Sequence, residues 1–107
     1  MNDQFDLIVL GTGAGGSTPA YACRRAGWNV AIVDDQPFGG TCGNRGCDPK
    51  KVLVGAAEVV SWQRRMEGHG VAGRAWIDWP ELMKFKRSFT DPVPASREEG
   101  FRGEGIE

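Results

Sequence analysis

Residues 5–10 are nearly all apolar after Asp6, without the strict alternation of a half-exposed strand, and predict a strand buried on both faces of a parallel sheet. Residues 11–16 are glycine-rich and turn the chain into a helix running to about Ala26, with Gly27 placed to terminate it. Residues 29–33 read as a second buried strand ending at Asp34. Strand, helix and strand within about 30 residues make a right-handed parallel crossover. Residues 35–41 then read as a loop. From Cys42 to about Glu67 the period becomes helical, with an interruption expected at Pro49. Val52, Leu53, Ala56, Val59, Val60 and Met66 form an apolar stripe on that helix, read as core packing. Residues 68–77 are irregular, and Asp78 is placed to cap a further helix with Glu81 at its third position. Leu82, Phe85 and Phe89 supply its expected inward face. Pro92 and Pro94 are expected to kink or end it, and residues 97–107 are polar with three glycines and no assigned element. Two strands alone would leave both sheet edges unpaired, so the chain is expected to be the front portion of a larger protein or a reading frame cut short.

The segment GTGAGG gives these elements a chemical meaning. Gly11, Gly13 and Gly16 match GxGxxG, with Ala14 and Gly15 between them. The first glycine suits a tight turn, the second a close approach of backbone to a pyrophosphate, and the third helix contact with the strand; Ala20 extends that close packing. Backbone N–H groups at the helix start would face phosphates. The spacing alone is weak evidence, but strand, helix and strand occur in order and an acid ends the second strand. That acid, Asp34, lies eighteen positions after Gly16 and suits the ribose hydroxyls of the adenosine half of FAD or NAD. Its charge would repel the 2′-phosphate of NADP. Asp35 is the alternative, either a solvated loop acid or the ribose ligand in Asp34's place. Pro19, inside the first helix, removes a backbone donor and is expected to bend it.

Composition narrows the classes. The chain has 107 residues and a net charge of −1, so it is one domain at most and lacks the basic footprint of a nucleic-acid binder. The early apolar run, residues 7–10, is far shorter than the roughly 20 residues of a membrane span, and residues 1–5 carry no basic start of a secretory signal. A soluble cytoplasmic protein is the expectation. Three cysteines in such a chain argue against a structural disulfide framework.

Two of those cysteines, Cys42 and Cys47, lie in GGTCGNRGCDPKK. Along a regular helix their five-residue spacing separates them by about 7.5 Å and about 140°. A disulfide needs Cα atoms within about 7 Å of each other. Gly43 and Gly46 are expected to permit the distortion that brings the sulfurs together. The alternatives are a metal pair and two unconnected buried thiols. Zinc pairs usually have shorter spacing and a second pair elsewhere, and only Cys23 and His69 remain to supply one. Arg45, Lys50 and Lys51 make the surroundings electropositive, which is expected to lower thiol pKa. The redox reading is preferred and no metal is expected. Cys23 reads as inert packing and His69 as an exposed loop residue. Trp62, Trp76 and Trp79 read as core or interface fillers, and Lys84, Lys86 and Arg87 as a solvated helix face.

Together these motifs resemble the flavoprotein disulfide reductases, the family of glutathione reductase, dihydrolipoamide dehydrogenase and mercuric reductase. GGTCGNRGCDPKK is very similar to the family signature GGTCxNxGCxPxK, and the resemblance is strong over residues 6–51 and looser beyond. Gly43 and Asp48 depart from it, standing where the family usually carries aliphatic residues. The resemblance implies an α/β fold: an incomplete Rossmann-like FAD-binding domain with a short parallel sheet and flanking helices. Residues 1–107 would be its N-terminal portion, with the NAD(P)-binding and dimerisation domains absent. It implies that electrons pass from NAD(P)H through FAD and the Cys42/Cys47 disulfide to a small disulfide or related acceptor, in the service of cell redox homeostasis. Cys42 would be the interchange thiol and Cys47 the flavin-facing thiol. Lys50 or Lys51 would approach the flavin, with the choice left open. Gly40 and Thr41 would lie along the cofactor, Thr41 near the pyrophosphate. The intact protein would be a homodimer with no nucleic-acid or membrane partner, and the isolated chain would be inactive. A different class remains: a truncated, non-catalytic dinucleotide-binding or redox-sensing module.

Overall fold

Strands β1 (Leu7–Leu10) and β2 (Val30–Val33) pair in parallel, Leu7 opposite Val30 and Leu10 opposite Val33, with α1 (Ala14–Arg25) crossing between them. This computed structural model describes residues 3–107; Met1 and Asn2, part of the opening segment read for a targeting signal, lie outside the described residues. The α/β class and the incomplete Rossmann-like arrangement follow from that crossover. β1 is shorter than expected, and Asp6 is bonded to Asn29 at its entrance. The Asn29 N–H donates to Asp6 Oδ2 at 2.8 Å while the Asp6 N–H donates to the Asn29 carbonyl at 2.9 Å. Helix α1 runs through Pro19 as one element, and the Thr18 hydroxyl donates to the Ala14 carbonyl one turn back at 2.9 Å.

Among the described residues one face of this sheet is fully covered, and on the other only Ala31 is buried. Val9, Ala20, Val30, Ile32, Phe101 and Ile106 form the core, with Leu7, Tyr21, Cys23 and Phe38 packed around it. On the opposite face Ile8 is 58% and Leu10 81% exposed. The expected two-sided burial of β1 is therefore corrected: its apolar run matches a sheet with helices on both faces, and the described residues cover one.

The carboxyl-terminal segment departs most from the pattern. After α2 (Gly40–Arg45), α3 (Cys47–Arg65) and α4 (Trp79–Thr90), residues expected to form no element make α5 (Val93–Gly103). Pro92 is its N-cap and Pro94 lies in its first turn, where proline's missing N–H forfeits no helical bond. The prolines therefore end one helix and start another. Phe101 anchors α5, stacking on Tyr21 at 5.1 Å between ring centroids and meeting Phe38 edge-on at 6.1 Å. Glu107 then reaches the outer edge of β2: its N–H donates to the Val30 carbonyl at 3.1 Å, and its carbonyl accepts from the Ile32 N–H at 2.7 Å. The expectation of two unpaired edges is corrected at that side.

Helices α3 and α4 pack together as a hairpin, and the whole measures 68 × 23 × 19 Å. Its radius of gyration, 20.1 Å, exceeds the roughly 13 Å of a compact chain of this length. Asp78 caps α4 as expected, accepting from the Glu81 N–H at 3.2 Å, and Gln63 of α3 binds the connecting loop by accepting from the Ala75 N–H at 3.3 Å. The inward faces are narrower than the patterns suggested. Val59, Phe85 and Phe89 are exposed, the two phenylalanines packing edge-on against each other at 5.1 Å. Trp62, Trp76 and Trp79 are exposed as well, so they fill no core here. Beside each other and the short α2, these helices have little to pack against, so apolar residues beyond one stripe stay outside.

Phe101→Ala is expected to destabilise the chain by about 3–5 kcal/mol, because it empties the contact holding α5 to the sheet. Urea denaturation followed by circular dichroism measures this, and a loss below about 1 kcal/mol would mean that α5 packs independently of the core.

Candidate functional site

The site begins where β1 ends. The Gly11 N–H donates to the Val33 carbonyl at 2.7 Å, extending the strand pairing by one step, and Gly11 then turns with φ +100°. A Cβ on Gly16 would lie 2.0 Å from the Gly11 carbonyl oxygen and 3.0 Å from Val9 Cγ1. The third glycine of the fingerprint therefore lets α1 press on β1, as expected. Ser17 donates the first helical bond, to the Gly13 carbonyl at 2.9 Å. The N–H groups of Ala14, Gly15 and Gly16 precede it at the positive end of the helix. Beside this turn lies an open groove of about 540 Å³ lined by Leu10, Gly11, Val33, Asp34 and Asp35.

Asp34 is tied into the turn. Its Oδ2 accepts from the Thr12 N–H at 2.8 Å and from the Thr12 hydroxyl, and its Oδ1 accepts from the Gln36 N–H at 3.0 Å. These bonds, the Thr12 hydroxyl first, hold the Asp34 carboxyl below the usual aspartate range. Asp35 lines the same groove and is exposed.

The cysteine segment meets the fingerprint backbone to backbone. Gly40, at φ +72°, packs on Gly13 so closely that an added Cβ would lie 2.5 Å from Gly13 Cα. Thr41 and Cys42 follow in α2, both exposed. The helical run breaks at Gly46 (φ −122°, ψ −111°), and Pro49 falls in the first turn of α3. The expected break at Pro49 is corrected, since proline in a first turn interrupts nothing. Gly46 lies across the end of α2, where a Cβ would sit 2.9 Å from the Thr41 carbonyl oxygen and 3.2 Å from Cys42 Cα. This fold-back brings Cys47, first residue of α3, beside Cys42. Lys50 and Lys51 are both exposed, three and four residues along α3 from Cys47, so both belong to its side of the helix.

Both thiols are free and exposed. The Cys47 thiol, as hydrogen-bond partner, is the main influence raising Cys42 above the ordinary thiol range; desolvation and the Cys47 charge add to it, and Asp48 contributes last. The expectation that Arg45, Lys50 and Lys51 lower the thiol pKa is therefore corrected for Cys42. An adjacent thiol outweighs cations that extend into solvent.

Comparison with known proteins draws on the same residues. The family model described as pyridine nucleotide-disulphide oxidoreductase matches residues 5–90. The chain is similar to dihydrolipoyl dehydrogenase of Chlamydia muridarum, 36% identical over 104 residues that cover 96% of this chain and 22% of that protein. It is 30% identical to the Mycoplasma genitalium dihydrolipoyl dehydrogenase over 97% of this chain and 23% of the relative. With that of Thermus scotoductus it shares 40% over 73% of this chain and 17% of the relative. The chain belongs to the pyridine nucleotide-disulphide oxidoreductase family. It spans 22% of the length of the first of these relatives.

Both departures from this family's cysteine signature have a local cause. A Cβ on the buried Gly43 would lie 3.1 Å from Val93 Cγ1, so α5 occupies the space an aliphatic side chain would take. Gly43 therefore serves packing, and the distortion between the cysteines is made by Gly46. Asp48 lies in the first turn of α3, where a negative charge suits the helix dipole. Two residues of the site were not singled out from the sequence. Asn44 donates through Nδ2 to the carbonyls of Pro37 at 3.2 Å and of Phe38 and Gly40 at 3.0 Å, pinning the loop before Cys42. Thr12 is buried between Asp34 and Gly39, whose N–H donates to its hydroxyl at 2.9 Å. The signal for Asn44 was its place inside the cysteine motif; Thr12 had none. No group of three or more His, Cys, Asp or Glu side chains is gathered as a metal site among the described residues.

Two pH dependences follow. Because Cys42 is raised, its iodoacetamide labelling is expected to reach half-maximal rate at a higher pH than an ordinary thiol, and Cys47→Ala should move the profile back down. An unchanged profile would mean that Cys47 does not act on it. Because Asp34 is lowered in the fold, the stability it contributes is fully present above the ordinary aspartate range and is lost as pH falls through the folded value. Asp34→Asn is expected to flatten the acid limb of a stability-against-pH curve, and equal limbs would contradict the bonds described.

Proposed function

We propose that residues 1–107 form the N-terminal, FAD-binding and redox-disulfide segment of a flavoprotein that moves electron pairs between NAD(P)H and a small disulfide or dithiol. The observation that carries this reading is the Gly13–Gly40 contact, which sets the dithiol segment against the dinucleotide fingerprint. The residues suit the cofactor. Gly11 lines the open groove with free space where a side chain would stand, Ala14, Gly15 and Gly16 present N–H groups for a pyrophosphate, and the Asp34 carboxylate lines the same groove for a ribose hydroxyl. Asp35 would flank the ribose and Thr41 the pyrophosphate. FAD bound there would supply two-electron exchange with the cysteine pair.

The protein's own step is thiol–disulfide exchange. Cys42, once deprotonated, attacks one sulfur of the substrate disulfide, breaking it and releasing one thiolate, which takes a proton. Cys47 then attacks the Cys42 sulfur of the mixed disulfide, releasing the second thiol and closing the Cys42–Cys47 bond. Two electrons leave the pair and the substrate gains them. The step is reversible, and the name shared by the relatives points to a dihydrolipoyl dithiol as the substrate running it backwards. Lys50 or Lys51 would place positive charge beside the reduced flavin. The NAD(P)H-binding and dimerisation parts would belong to the rest of a homodimeric, cytoplasmic protein serving redox homeostasis.

Fluorescence titration of the chain with FAD tests the reading, with NADH and NADPH consumption in the presence of lipoamide as a second measurement. FAD binding that weakens in Asp34→Ala by about tenfold, the worth of a hydrogen bond to a charged group, is expected. Binding without turnover is expected of this chain alone, since the NAD(P)H-binding part would belong to the rest of the protein, and no binding would remove the cofactor assignment for this chain.

A further inference from the structure

Among all side chains near the site, one hydroxyl touches both halves of it. Thr12 is 2% exposed, one of the largest fully buried side chains, and stands between the two glycines that open the fingerprint. Its hydroxyl donates to Asp34 Oδ2 and accepts from the Gly39 N–H at 2.9 Å, while its own N–H donates to the same Oδ2 at 2.8 Å. Gly39 is the N-cap of α2, at φ +111°, and the next residue rests on Gly13. Thr12 and Asn44 thus both tie down the loop between Asp34 and Cys42, beside Asp34 itself, which holds Gln36.

We propose that Thr12 is a positioning residue that orients Asp34 for a ribose hydroxyl and, through Gly39, holds the start of the helix that carries Cys42. The ribose half of this assignment rests on the FAD reading above; the loop half does not. The chemistry is specific to a hydroxyl. A single O–H can satisfy a carboxylate while its oxygen lone pair accepts an N–H, and a hydrogen bond chained in this way is strengthened by its neighbour. Valine fills nearly the same space and can do neither. It would leave the Gly39 N–H without its acceptor and Asp34 without its hydroxyl donor, held by the backbone N–H groups of residue 12 and Gln36 alone. Serine keeps the hydroxyl and loses only a methyl group.

The test compares the 107-residue chain with its Thr12→Val and Thr12→Ser variants, each checked for folding by circular dichroism. FAD affinity is measured by fluorescence titration and Cys42 accessibility by its iodoacetamide labelling rate. Thr12→Val is expected to weaken FAD binding by about tenfold, the effect of losing one hydrogen bond to a charged group, and to change the labelling rate; Thr12→Ser should restore both. If Thr12→Val does not fold, Thr12→Ser against Thr12→Ala isolates the hydroxyl. Equal behaviour of the variants with and without the hydroxyl would make Thr12 a packing residue and overturn the proposal. FAD binding by the unaltered chain with no change in either variant would leave the FAD reading standing and remove Thr12's role. No FAD binding by any form, with labelling still dependent on the hydroxyl, would sink the FAD reading and the ribose half while supporting the loop half.

Discussion

The closeness of two glycine backbones, Gly13 and Gly40, is the constraint on which the rest of the site depends. A side chain at Gly40 would collide with Gly13 Cα, so the cysteine-bearing segment reaches the fingerprint only because Gly40 has none. Around this contact the polar groups are mutually satisfied. Asp34, Thr12 and Gly39 form one chain of hydrogen bonds, and Asn44 closes the loop from the other side. No buried side-chain polar atom among the described residues lacks a partner. The result is a fully bonded corner on a very small core, with an open groove beside the glycine turn and two exposed thiols in the adjoining segment.

That corner leans on the last helix. Val93 of α5 fits against Gly39 and Gly43, while Phe101 of the same helix fills the space between Tyr21, Phe38 and the sheet. One helix therefore supports both the sheet and the cysteine loop, and a change in its seating would be felt at both. Further support comes where α5 ends. The Arg25 guanidinium pairs with Glu104 at 3.0 Å, and Arg24 donates to the Glu104 carbonyl at 3.1 Å. These contacts are exposed and contribute little energy singly, yet they fix the direction from which Ile106 and Glu107 approach β2.

Legibility in the sequence followed the range of the interactions. The crossover, the glycine turn and the Asp78 cap were readable because each depends on neighbours within a few residues or on a strong period. The bend between the cysteines was foreseeable at Gly43 and Gly46, and of the two Gly46 makes it; the helix interruption expected at Pro49 was not borne out. Helix α5 was missed because Pro92, Pro94 and three glycines are local signals against a helix, while the signal for it, Phe101 against Tyr21, spans eighty residues. The raised Cys42 thiol was missed for a related reason. Counting nearby cations ignores how solvent screens long side chains and how strongly an adjacent sulfur acts.

Alone, the sequence determined the order of elements as far as α4, the glycine positions that admit close backbone approach, and the spacing that lets two thiols meet once a helix is broken. These are consequences of sterics and periodicity, which act locally. Tertiary structure decided which apolar residues find a partner, that Thr12 bridges Asp34 and Gly39, and that Val93 replaces the side chain missing at Gly43. Such choices come from packing between distant segments, where the fit of surfaces is set by the whole fold and no local pattern encodes it.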